Sequence, residues 1–350
     1  MRKCSDFLQK NDKSWGRLRH QKHITLILSN DTIMKPPYDI SAEILHLISE
    51  ISTKLGEVKA HFLQRQSPQL RKQNRIKTIH SSLNIEGNTL TVEQITAIVD
   101  NKKVIGPEKD VKEVLNAIKV YNNLTHYAPG NQESFLKAHK TLMNGLVESP
   151  GKYRNKSVGI IKGDNLAHIA PPAENIRHLM TDLFDYLQKD KDIALIKSCV
   201  FHYEMEFIHP FIDGNGRMGR LWQTLILTQE YPVFEYLPFE TIISKHQEQY
   251  YRALVISDQS GKSTAFIEYM LSIIDAALKD LLNFKHRTLT SLDRIEFFKS
   301  LGIKSFTRKD YMNSFKNISS ATASRDLLKG VEKGLLVKTG SLNQTVYSFT

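Results

Sequence analysis

Apolar residues recur at three- and four-residue steps through most of the chain, the spacing of one helical face. Ile44, Leu45, Leu47, Ile48, Ile51 and Leu55 mark a first helix beginning near Ile40, and a second is predicted over Leu70–Ile85. Val111, Val114, Leu115, Ile118 and Tyr121 predict a third, and Phe135, Leu136, His139, Leu142 and Met143 a fourth, both within residues 108–147. A helix over Ala173–Gln188 turns Ile176, Leu179, Met180, Leu183, Phe184 and Leu187 inward, and two further apolar runs predict helices over Asp192–Ile208 and Gly216–Glu230. Before residue 285 a strand pattern appears at one place. Val158-Gly159-Ile160-Ile161 and Leu166-Ala167-His168-Ile169 flank Lys162-Gly163-Asp164-Asn165, which reads as a β-hairpin.

The last 64 residues change character. Leu292–Leu301, Arg308–Phe315 and Ala321–Lys333 predict three short helices, and Leu335–Lys338 and Val346–Phe349 predict strands around Gly340-Ser341-Leu342-Asn343. Three helices with a β-wing describe a winged helix, with Ser320–Asp326 opening its recognition helix and Arg325 and Lys329 turned outward. The expected fold class is therefore mainly α, a helical core with a small β-hairpin plus a C-terminal winged-helix domain. The expected boundaries are an extension over 1–40, ended by Pro36-Pro37, a helical region over 41–108, a core over 109–286 and the winged helix over 287–350.

The candidate chemistry sits in the joint between the two central helices, His209-Pro210-Phe211-Ile212-Asp213-Gly214-Asn215-Gly216-Arg217-Met218-Gly219-Arg220. Gly214-Asn215-Gly216 allows successive N–H groups to converge on an anion at the start of the second helix. Arg217 and Arg220 are three apart, on one helical face, and both are able to fork onto phosphate oxygens. Asp213 would repel phosphate unless a cation stood between them, which points to Mg²⁺ carried in by a nucleotide. His209 is the group in the joint whose ordinary pKa suits taking a proton near neutral pH.

These twelve residues match, at every fixed position, the Fic family signature H-x-F-x-D/E-G-N-G-R-x-x-R, and the chain resembles a Fic protein adenylyltransferase. The resemblance to related phosphotransferases carrying Lys in place of Gly216 is weaker. The turn after the second helix, Ser82-x-x-x-Glu86-Gly87-Asn88, is similar to the inhibitory motif of many Fic proteins, and its place in the chain implies the class with the inhibitory helix before the catalytic domain. Read locally, Gly87 suits a helix C-cap and Thr89–Gln94 a new N-terminus with a capping residue.

The resemblance implies that AMP passes from ATP to a Ser, Thr or Tyr hydroxyl of a protein, self-modification included. His209 would take the hydroxyl proton, Asp213 would hold Mg²⁺, and Gly214, Asn215, Gly216, Arg217 and Arg220 would hold the phosphates. Glu86, with Ser82 and Gly87 around it, would occupy Arg220 and block productive nucleotide binding. The hairpin at Val158, Gly159, Ile160 and Ile161 would be the flap that pairs with an extended target. Tyr251 would lie near the adenine, while Asp258 stands where several relatives carry Asn. Two rivals follow from the same residues: removal of AMP from a modified target, with Glu86 aligning water, and a DNA-binding regulator whose core senses nucleotide.

Composition adds limits. With 350 residues and 41% hydrophobic content the chain can bury a sizeable core, and no membrane-spanning run or apolar leader is read, so a soluble cytoplasmic protein is expected. Cys4 and Cys199 form no metal spacing, and Cys199 reads as an inert core thiol. His139 reads as a core histidine, and the pair His202 and His209 as too few ligands for zinc. The formal charge is +11, with eleven Lys/Arg against five Asp/Glu in 287–350, which leaves nucleic acid open as a partner of that segment. Homodimerisation is left open. Ser260-Gly261-Lys262-Ser263 is no phosphate loop, because Ile256 stands where that motif needs Gly.

Overall fold

The computed structural model describes residues 34–62, 68–156, 159–162, 165–286, 291–300, 303, 305–315, 318–341 and 345–350, the hairpin strands by backbone alone. The fold is mainly α. The chain divides into two compact units, one of residues up to Gly56 with Arg75–Leu278, the other of Glu57–Asn74 with Lys279–Thr350. The basic N-terminal stretch, Cys4 and Val158 lie outside the described residues.

The larger unit is built on α7 (Ala194–Ile208) and α8 (Asn215–Glu230), which pack along each other. Leu195, Ile196, Cys199, Val200, Phe201, Tyr203 and Met205 are all buried, so α7 is covered on every side and has no polar stripe. To the larger unit belong also α1 (Ala42–Phe62) as far as Gly56, α2 (Pro68–Ile85) from Arg75, α3 (Val92–Val99), α4 (Glu108–Asn122), α5 (Gln132–Leu142) and α6 (Ile176–Lys189). After α8 come α9 (Glu240–Lys245), α10 (Gln247–Ser260) and α11 (Thr264–His286). Phe135 is the hub of the aromatic core, with ring centroids of Phe184, Phe201, Phe211 and Trp222 between 5.0 and 6.0 Å away. Cys199 lies in this core, and burial pushes its thiol pKa up to about 12, as an inert thiol requires.

The hairpin forms where alternation predicts it. Strand β1 (Gly159–Lys162) pairs antiparallel with β2 (Asn165–Ile169), Gly159 opposite Ile169 and Lys162 opposite Asn165, with an irregularity between Ile160 and Ile161. Strand β2 lies against α10.

On α4 the apolar spacing misleads in one respect. Leu115, expected inward, is 43% exposed, while Glu113 and Asn116 are buried. The rotation has a polar cause: Asn116 Nδ2 donates to the carbonyls of Leu142 and Asn144, and Glu113 accepts from Arg217. Satisfied polar groups outcompete one leucine for the interior.

In the smaller unit α12 (Ser291–Ser300), β3 (Ser305–Phe306), α13 (Arg308–Ser314), α14 (Ser320–Glu332), β4 (Leu336–Thr339) and β5 (Val346–Phe349) follow in order. The strands form one antiparallel sheet in the order β3-β5-β4. Strand β3 escapes sequence detection because two residues carry no period. Ile295, Phe298, Phe306, Tyr311, Ala323, Leu327 and Leu336 form the core of the unit.

Because Phe135 is fully buried at the centre of four rings, Phe135→Ala is expected to cost about 3–5 kcal/mol. The denaturation midpoint of the larger unit checks this: a shift near zero would mean the cluster does not carry the fold.

Candidate active site

His209 is the residue at which α7 stops. Its N–H still bonds to Met205 O at 3.1 Å, but its backbone is left-handed, φ 49° and ψ 58°, a conformation that costs a side-chain-bearing residue energy. Arg154 holds it there. Its Nε donates to His209 O at 2.7 Å and its Nη2 to Ile208 O at 3.3 Å and Pro171 O at 2.6 Å, while its main-chain N–H donates to Pro210 O at 2.8 Å. Nothing in the local sequence marks Arg154 as the clamp of this loop. The His209 ring approaches Glu206 O with Nδ1 at 3.4 Å; a carbonyl can only accept, so the proton belongs on Nδ1 and Nε2 is the nitrogen that can take one.

The loop is closed from below by His139 and Asn215. His139 stacks on Phe211 with centroids 3.5 Å apart, accepts from the Gly151 N–H through Nδ1 and therefore donates through Nε2 to Asp213 O at 3.0 Å. It is a satisfied core histidine, as expected. Asn215 Oδ1 accepts from the Phe211 N–H and its Nδ2 donates back to Phe211 O, both at 2.9 Å. Its amide is thus bound within the loop, so an anion here would be held by main-chain N–H groups at the start of α8 rather than by this side chain. Gly214, at φ 90°, must lack a side chain, since a Cβ would press on Met143 and His139.

Arg217 also departs from expectation. Its Nη1 donates to Glu113 Oε1 at 2.8 Å and its Nη2 to Asp213 Oδ1 at 2.6 Å, with both guanidinium and Glu113 almost wholly buried. Two carboxylates fill its fork, so in this arrangement Arg217 holds Asp213 in place. Asp213 Oδ1 takes the Gly214 N–H as well, which leaves Oδ2 for a cation. Glu113, which sequence reading passed over, is fixed in turn by Asn88 Nδ2 at 2.9 Å.

Arg220 is the other cation and is fully buried. Its Nη2 meets Glu86 Oε1 at 2.7 Å and Ser82 O at 2.9 Å, and its Nε donates to Ser82 Oγ at 3.1 Å. Burial works against its charge, but Glu86 and, further off, Glu206 outweigh it and its pKa is raised. The Glu86 carboxylate lies over Gly216: a Cβ there would collide with Glu86 Oε1 and stand 3.0 Å from Arg220 Nη1. Glu86 therefore occupies the anion position at the amino end of α8. Gly87 makes this possible. At φ 89° it ends α2 with paired bonds from Gly87 N to Asn84 O and Asn88 N to Leu83 O, and α3 then starts at a Thr91–Gln94 capping box.

The two adjacent tyrosines separate. Tyr250 is buried, its hydroxyl 3.0 Å from His202 Nε2 and 3.3 Å from Glu206 Oε1. Tyr251 is half-buried beside Gln247, close enough to Glu86 for that charge, after burial, to raise its pKa. Asp258 accepts from the Tyr203 hydroxyl. His202 is bound to Gln223 Oε1 at 2.7 Å, and among the described residues no group of three His, Cys, Asp or Glu could hold a metal by itself.

A family model for the Fic/DOC family matches residues 129–227. A crystal structure of a Fic family protein from Desulfovibrio desulfuricans G20 is 39% identical, with TM-score 0.71, covering 90% of this chain and 98% of that one. The chain belongs to the Fic family. Among curated relatives, protein adenylyltransferase fic-1 of Caenorhabditis briggsae is 25% identical over 71% of this chain and 46% of its own length, and the Nematostella vectensis protein adenylyltransferase Fic 28% identical over 54% and 45%. The chain thus spans less than half the length of these relatives. A Caenorhabditis elegans Fic-1 structure, 18% identical with TM-score 0.57 over 69% of this chain and 73% of that one, shares the fold.

Two outcomes follow from the geometry. Burial, with the nearby Arg217 charge, brings the His139 pKa down from 6.5 to about 4 in spite of the Asp213 carbonyl. The unfolded chain then takes up this proton first, so stability is complete above pH 6.5 and falls by roughly 3 kcal/mol as the pH drops to 4; denaturant midpoints across that range check it, and His139→Gln should flatten the slope. Glu113→Gln breaks one arm of a buried ion pair and is expected to cost about 3 kcal/mol, read by the same method.

Proposed function

We propose that the protein transfers AMP from ATP to a Ser, Thr or Tyr hydroxyl of a protein target in the cytoplasm, and that Glu86 holds this activity down. The region over 41–108 supplies the inhibitory turn, 109–286 the catalytic core, and 287–350 a winged helix, which nucleic acid suits by charge. The observation that carries the reading is the Glu86 carboxylate seated on Arg220 at the amino end of α8, six residues from the start of a loop that presents His209.

In the reaction, His209 Nε2 takes the proton of the target hydroxyl as its oxygen attacks the α-phosphorus. The new P–O bond forms while the bond from the α-phosphorus to the bridging oxygen breaks, and pyrophosphate leaves with that electron pair. N–H groups at the start of α8 hold the phosphates, and Arg220, once released by Glu86, neutralises the leaving group. Asp213 would hold Mg²⁺ brought in with the nucleotide, and the ion would shield the phosphate charge; Arg217 and Glu113 keep that carboxylate aimed. One carboxylate oxygen suits a cation whose other ligands come from the nucleotide and water. Backbone groups of Gly159, Ile160 and Ile161 are placed to pair with an extended target segment, and Tyr251 lines the adenine side.

The test is incubation with ATP labelled on the α-phosphate, with and without cell lysate. Glu86→Gly should raise labelling of the protein itself and of lysate bands, and His209→Ala in that background should lower it by about 10²–10⁴-fold. Equal labelling with and without His209 would sink the assignment, and no gain from Glu86→Gly would sink the inhibitory role.

A further inference from the structure

In the smaller unit two carboxylates are held by the unit's own groups. Asp326 is 1% exposed and takes Nε and Nη2 of Arg294 at 2.6 and 2.9 Å together with the Tyr311 hydroxyl. Asp310 is bound by the N–H and hydroxyl of Thr307 in the capping box that starts α13. These carboxylates are engaged with the unit's own groups. Arg308, Lys309, Arg325, Lys329, Lys333 and Lys338 are exposed.

On α14 the separation follows the helical period. Ala323, Asp326, Leu327 and Gly330 face the core. The outward face holds Ala321, Arg325, Leu328, Lys329 and Glu332. Arg308, at the start of α13, donates through Nη1 to Ser324 Oγ at 3.0 Å, which brings a third cation alongside the same helix. Gly330 lets the helix sit tightly on its sheet, since a Cβ would meet Ile295 and Leu336 at 2.7 Å. Strand β4 adds the exposed side chains of Val337, Lys338 and Thr339.

We propose that this unit binds duplex DNA, with α14 in the major groove and Arg308, Lys309 and Lys338 on flanking phosphates. A helix about 10–12 Å across with its side chains matches a groove about 12 Å wide. Ser320 and Ala321 at its leading end are small enough for close approach. Arg325 is of a type that pairs with guanine edges, and Leu328, 58% exposed among charged neighbours, suits a thymine methyl. The same neighbours count against a protein partner, which would have to bury Arg325 and Lys329 unpaired to reach that leucine. Duplex RNA is disfavoured because its major groove is too deep and narrow for a helix. The proposal is independent of adenylyl transfer.

The test uses the full-length protein and a fluorescein-labelled B-form DNA duplex, read by anisotropy over a range of salt concentrations. Affinity should fall linearly with salt on logarithmic axes. The double variant Arg325→Ala/Lys329→Ala should bind about tenfold more weakly or worse. Both residues are exposed, so its far-UV circular dichroism and label transfer from ATP should match the parent. Absence of duplex binding at low salt, an unchanged affinity in the double variant, or equal affinity for an A-form RNA duplex or labelled polyglutamate would overturn the proposal.

Discussion

A guanidinium with no access to water governs the active site. Arg220 must always have an anion beside it, because leaving a buried cation unpaired costs several kcal/mol. Glu86 and the two oxygens of Ser82 meet that need in the present arrangement. On the proposed reading, an incoming phosphate would exchange with a carboxylate that already stands beside Arg220. The exchange costs little for the cation, since one anion replaces another, and the balance shifts to how firmly α2 is held. Glu206, which helps to raise the pKa of Arg220, supplies negative potential at every stage of such an exchange.

The end of α2 grips α8 in two places, three residues apart. Glu86 takes Arg220, while Asn88, turned back by the left-handed Gly87, takes Glu113 and through it Arg217 and Asp213. The turn that carries Glu86 is therefore tied both to Arg220 and, through Glu113 and Arg217, to Asp213. Ser244 on Asn84 Oδ1 and Gln247 on Ile85 O add bonds from α9 and α10 to the same turn. Any motion that withdraws Glu86 must loosen these contacts also, so a single electrostatic lock becomes a property of several packed elements.

The sequence was legible where spacing alone decides the outcome. Helix periods placed α1, α2 and α5 to α8 within a few residues, and alternation placed the hairpin. It was silent on which carboxylate each of the two arginines takes. Arg217 and Arg220 are alike in type and face, and they differ only because α4 and α2 happen to bring Glu113 to one and Glu86 to the other. Arg154 was missed for the same reason: its partners are main-chain carbonyls, which every residue carries. Leu115 was misplaced because the polar bonds of Glu113 and Asn116 set the rotation of α4.

Both units solve one problem in opposite ways. In the larger unit the cations of the site are buried and matched by carboxylates, so the field that reaches a ligand is nearly cancelled until one carboxylate moves. In the smaller unit the well-bonded carboxylates, Asp326 and Asp310, are held by Arg294, Tyr311 and Thr307, and most exposed charge is positive. Such a surface attracts a polyanion without any rearrangement and responds to salt in place of a conformational trigger. The carboxylates are directed toward two buried cations in one unit and toward the fold itself in the other, and only the second leaves a standing electrostatic surface.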